Sequence, residues 1–88
     1  MIAPTIHLNG SSAKSLREGY CEVFRAINNA LDKLAQAAPH GRDYYVQKDP
    51  DAFEKARKEH RARVDALVKV REEMQGLAIM VSDQEIRR

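Results

Sequence analysis

Arg42, Asp43, Tyr44, Tyr45 and Lys48 lie within one seven-residue stretch, the densest group of chemically versatile side chains in this sequence. Arg42 offers a planar fork matched to a carboxylate or phosphate, the tyrosines offer rings for stacking and hydroxyls for hydrogen bonds, and Lys48 adds a flexible charge. Free amides at the start of the following helix would add to an anion site, although Asp49 and Asp51 already occupy that start and would repel a phosphate there. The group suits a planar anionic ligand such as a nucleotide, or a protein partner. In the competing structural role, Arg42 and Asp43 pin the loop by ion pairing or backbone contacts while one tyrosine caps the core. Either tyrosine could face out. His7 and Asn9 could approach the same end and join the site.

A second group, Lys55, Arg57, Lys58, Arg61 and Arg63, is opposed in its window only by Glu59. Nucleic-acid contact is one reading of it. However, these residues project in several directions and lack the aromatic interleaving of single-strand binders, which favours a solvated, salt-bridged surface. His60 falls on an apolar seam, where a core histidine with one hydrogen bond is the ordinary outcome. His7 and His40 have no positioned carboxylate, so acid–base catalysis is not indicated. Cys21 is the only cysteine, which rules out an internal disulfide and disfavours a zinc cluster. No nucleophilic triad, phosphate loop or metal motif is present. A non-enzymatic protein without a cofactor is expected.

The elements that must hold these residues follow from periodicity. Thr5-Ile6-His7-Leu8 alternates polar and apolar residues and stops at Asn9-Gly10, a pair that accepts positive φ, so it reads as a short extended segment over residues 1–10. It could pair with Tyr44-Tyr45-Val46, pair with another subunit, or remain an arm. Ser11 or Ser12 can cap a first helix over 12–38, where Leu16, Tyr20, Val23, Ile27, Ala30 and Leu34 form an apolar stripe widened by Phe24 and Leu31. Gly19 interrupts that helix unless a neighbouring backbone must approach it. Pro39 and a left-handed Gly41 are expected to end it and open the 39–49 loop. Asp49 as N-cap, Pro50 and Asp51 mark the start of a second helix over 50–80.

In the second helix Phe53, His60, Leu67, Met74 and Val81 recur every seven residues, joined by Ala56, Val64, Val70, Leu77 and Ala78. Such a seam predicts antiparallel pairing with coiled-coil-like packing. The expected fold is therefore all-α, a long antiparallel helical hairpin with an extended N-terminal segment. Two helices leave part of each stripe wet, so self-association into a helical bundle, a dimer closing four helices, is expected. Residues 81–88 read as a fraying polar tail.

Bulk properties bound the rest. Eighty-eight residues, 43% hydrophobic and 32% charged, describe one small domain. A formal charge of +2 and a pI near 8.9 give no overall field that favours nucleic acid or an anionic membrane. No apolar run approaches a membrane span and no signal-peptide pattern opens the chain, so a cytoplasmic protein is expected.

Two motifs in order, Ile6-His7-Leu8-Asn9-Gly10 and Gly41-Arg42-Asp43-Tyr44-Tyr45, resemble a group of small proteins encoded in bacteriophage and prophage genomes. The likeness covers nearly the whole chain. It supplies no catalytic or binding residues. It implies a context, an accessory gene working in a bacterial host cell, where small proteins act by blocking a host factor or sequestering a nucleotide signal of antiviral defence. The expectation is thus a phage-type binding protein using the loop from Arg42 to Lys48. The nucleic-acid reading and a purely structural assembly role stand as alternatives.

Overall fold

The computed structural model describes residues 1–86, with side chains through residue 85. Two helices, α1 (Ala13–Gln36) and α2 (Ala52–Ile86), form an antiparallel hairpin, with a single 3-10 turn at Gly41–Asp43 in the connection. The rod measures 62 × 20 × 19 Å, so its two ends are chemically independent places.

Local chemistry sets the helix ends. The Ser12 hydroxyl accepts from the Ser15 amide at 3.0 Å, the capping bond expected of a serine at this position. At the other end of α1 the Ala37 amide donates to the carbonyls of Lys33 and Leu34, and Pro39 cannot continue the ladder. Asp49 caps the approach to α2, its Oδ1 accepting from the Asp51 amide at 2.9 Å. The expected left-handed residues are absent, for no described residue has positive φ. Asn9-Gly10 instead closes a turn through Gly10 N–H donating to the His7 carbonyl at 3.1 Å. Gly41 opens the 3-10 turn with the Phe53 ring 3.6 Å from where a Cβ would stand, so its role is close packing.

The first apolar stripe is only partly covered, with Ile27 buried and Val23 still 42% exposed. On α2 the seven-residue positions face inward, with Phe53, His60, Leu67 and Met74 half-buried and Val81 buried, but the flank of the seam differs from expectation. Val70 is 42% exposed, and half-buried Arg71 occupies the inward position at that level. Its guanidinium donates to Asn28 Oδ1 at 2.8 Å and lies 5.9 Å from the Phe24 ring centre. A polar cross-link of this kind between facing helices fixes register, because sliding either helix by one turn would strand a desolvated guanidinium.

The fraying tail expected over 81–88 is corrected by the structure. Helix α2 continues to Ile86, and Val81 is the most buried side chain among the described residues at 0% exposure. Positions 87 and 88 lie outside the described residues. Two links hold this end. Arg17 of α1 pairs with Glu85, and the N-terminal segment docks on Gln84. That segment is an arm, neither a strand nor a partner of the loop. Gln84 Oε1 accepts from the Ile6 amide and its Nε2 donates to the Pro4 carbonyl, both at 2.8 Å, so one carboxamide imitates a neighbouring peptide group. The arm runs beside α2 as far as Gly76, where the Met1 methyl would meet an added Cβ at 2.9 Å.

No close crossing justifies Gly19, since an added Cβ there would meet nothing within 4 Å. Gly19→Ala is therefore expected to raise stability by about 0.8–1.0 kcal/mol through helix propensity. Urea titration followed by circular dichroism measures this; a fall in stability would reveal a neighbour that the hairpin alone does not contain.

Candidate functional site: the loop at the closed end of the hairpin

Phe53, in the first turn of α2, organises the loop. Its ring meets Gly41, lies 6.0 Å centre to centre from the tilted ring of Tyr44, and has the Arg57 guanidinium 5.6 Å from its own centre. Tyr44 is half-buried in this stack while Tyr45 is 80% exposed, which decides which tyrosine faces out. Neighbouring residues at an irregular turn point to different sides, so one ring can serve the fold and the next remain free.

Backbone hydrogen bonds fix the turn. The Asp43 amide donates to the His40 carbonyl at 3.0 Å, and the Tyr44 and Tyr45 amides both donate to the Gly41 carbonyl. His40 caps the turn with Nδ1 accepting from the Arg42 amide at 3.2 Å, so this ring nitrogen is committed as an acceptor. The Arg42–Asp43 ion pair that could have pinned the loop is not formed. Among the described residues the ion pairs are Lys14–Glu18, Arg17–Glu85, Lys55–Asp49, Arg57–Glu54 and Arg63–Glu59. The guanidinium of Arg42 is thus exposed and uncommitted on a turn that other groups hold in place.

Arg42, Tyr44, Tyr45, Gln47, Asp49 and Phe53 line an open concavity of about 510 Å³ with mostly apolar walls. The one carboxylate there, Asp49, is already engaged. Its Oδ2 accepts from Lys55 Nζ at 2.6 Å and its Oδ1 from the Asp51 amide. These contacts, Lys55 first, hold its pKa below the ordinary 3.8. A carboxylate with a lowered folded pKa stabilises the fold fully above its unfolded value and loses that contribution as pH falls through the folded value. Asp49→Asn keeps the acceptor for Asp51 but not the charge. Urea midpoints at about pH 6 and about pH 2.5 should therefore differ less in the variant than in the parent; an equal or larger difference in the variant would contradict this.

The sequence candidates are not all brought together. Asp43 and Lys48 are exposed on the loop but do not line the concavity. His7 and Asn9 belong to the opposite end of the rod, beyond the point where Ile6 docks on Gln84, and so cannot join the site. Phe53, Gln47 and Asp49 do line it, and were not read from the sequence as site residues.

The basic segment of α2 splits in two. Lys55, Glu59 and Arg63 line one surface, while Arg57, Lys58 and Arg61 line another together with Glu54 and Asp65. Lys55, Arg57 and Arg63 each have a carboxylate partner. No continuous cationic track results.

Among the described residues no three His, Cys, Asp or Glu side chains cluster in a way that could hold a metal ion, and no helix is long and apolar enough to cross a membrane. Compared with known proteins, the chain matches no family model, no curated protein and no solved structure.

Proposed function

We propose that the chain is a non-enzymatic binding protein that captures a planar, anionic, nucleotide-like ligand at the closed end of the hairpin. The observation that carries this reading is the pairing of two uncommitted groups, the exposed Arg42 guanidinium and the 80% exposed Tyr45 ring, on a turn braced by Phe53 and Tyr44. Neither side chain takes part in the hydrogen bonds or ion pairs that hold the turn. Arg42 would take the anionic group through its fork, Tyr45 would stack on the planar group, and Gln47 would offer a hydrogen bond at the rim. Because the turn is held by its own backbone bonds, little ordering cost accompanies binding.

The resemblance to phage and prophage accessory proteins supplies a setting for this chemistry, sequestration of a nucleotide signal in the cytoplasm of a bacterial host. Blocking a host protein through the same exposed tip, Tyr45 with Val46, is the alternative within this reading. Nucleic-acid binding through α2 has less support, since three of its five cations are ion-paired and the group faces two ways.

Calorimetric titration with nucleoside mono- and diphosphates and with dinucleotides tests the proposal. One of these should bind saturably, and Arg42→Ala combined with Tyr45→Ala should weaken binding at least a hundredfold, about 3 kcal/mol for a charge-assisted contact and a stacked ring together. Helicity should not change. Binding that survives the double substitution would refute the site, and affinity that falls steeply with salt and follows Lys58 and Arg61 would favour the nucleic-acid reading.

A further inference from the structure

A second concavity lies toward the other half of the rod, away from the loop. Tyr20, Cys21 and Phe24 of α1 with Met74, Gln75, Ala78 and Ile79 of α2 line a largely apolar groove of about 220 Å³, and no charged side chain is among its lining residues. Ile79 at its edge is 53% exposed.

The shortage of core is measurable. A folded monomer of 10.0 kDa is expected to expose about 5,200 Å². This hairpin exposes 6894 Å². The excess of about 1,700 Å² reflects the 62 Å length of the rod, along which a second hairpin has room to cover the roughly 800 Å² that each partner contributes to a standard stable interface. A second copy is the one partner present wherever this chain is made, and it brings the same apolar groove and the same projecting Ile79.

We infer that the groove is a contact face between two copies of this chain, related by a two-fold axis, each seating Ile79 in the groove of the other. An isologous contact needs a projection and a recess on the same patch, and Ile79 beside the Tyr20–Phe24–Met74 recess provides both. It also places each patch against its own copy, where any charge would meet its like. A groove lined without charge avoids that repulsion. Joining two hairpins this way gives four helices around a shared apolar centre. The inference stands independently of the loop reading, because the groove shares no residue with the loop concavity.

Sedimentation equilibrium over a wide concentration range tests it. The wild-type chain should sediment at twice its 10.0 kDa mass. Ile79→Asp should sediment as a monomer with its helicity retained, and Val70→Asp, at an exposed position outside the groove, should remain a dimer. Ile79→Gln, neutral and compatible with a helix, should weaken association at least tenfold and keeps the test decisive if the aspartate costs the fold. A wild-type mass other than that of a dimer, a dimer indifferent to both Ile79 changes, or equal dissociation by Val70→Asp would overturn the inference.

Discussion

Val81→Asp is expected to leave the chain unfolded at 25 °C, with helical circular dichroism lost and no cooperative urea transition. Among the described residues Val81 is the only large side chain with no exposure, and a carboxylate placed there would have no partner. An unpaired buried charge costs several kcal/mol, comparable to the whole stability of a small domain with a thin core. Val81→Ala, which removes only two methyl groups, should cost about 2 kcal/mol and leave a folded protein. A cooperative transition retained by Val81→Asp would mean that the last turns of α2 are not held as described. The effect would be local fraying, as the polar sequence around Val81 suggests.

Phe53→Ala is the second large change. It removes the ring that Gly41, Tyr44 and Arg57 share, and a half-buried phenyl in such a stack is worth about 2–3 kcal/mol. Beyond the fall in urea midpoint, the amides of Asp43, Tyr44 and Tyr45 should lose much of their hydrogen-exchange protection, because the Phe53 ring packs against both Gly41 and Tyr44. Tyr45→Ala should change neither stability nor protection. This contrast separates a ring that builds the site from one that would use it. Similar losses from the two substitutions would show that Tyr45 is structural as well.

The hairpin was legible because its signals are local. Ser12, Pro39 and Asp49 mark element ends through their own backbone chemistry, and the apolar stripes give the helical period directly. Departures arise where a distant residue changes the value of a position. Residues 81–86 look polar and loose in sequence, yet Arg17 and the arm reach them from 68 and 78 residues away in the chain. Arg71 reads as a surface charge until Asn28 and Phe24 are placed opposite it, and Val70 is correspondingly turned outward.

The candidate site was legible as a composition and less so as a geometry. The loop stood out for carrying more chemistry than a reversal of direction needs, and Arg42, Tyr44 and Tyr45 do share one concavity. No signal in the sequence could assign the inner and outer tyrosine, because both have the same type and the turn between them has no period. Phe53 was absorbed into the seam by its spacing, and only its position at the loop end of that seam hints at its second role. His7 and Asn9 were placed with the loop as part of an extended segment of unknown docking, whereas the carboxamide of Gln84 ties that segment to the far end.

The central claim, capture of a nucleotide-like ligand by Arg42 and Tyr45, is tested most directly by native mass spectrometry after incubation with the small-molecule extract of bacterial cells. The expected spectrum of the wild-type chain carries a discrete added mass of nucleotide size, which is absent from the chain bearing both Arg42→Ala and Tyr45→Ala. Wild-type protein that emerges at its bare polypeptide mass, or an added mass that the double substitution does not remove, would contradict it.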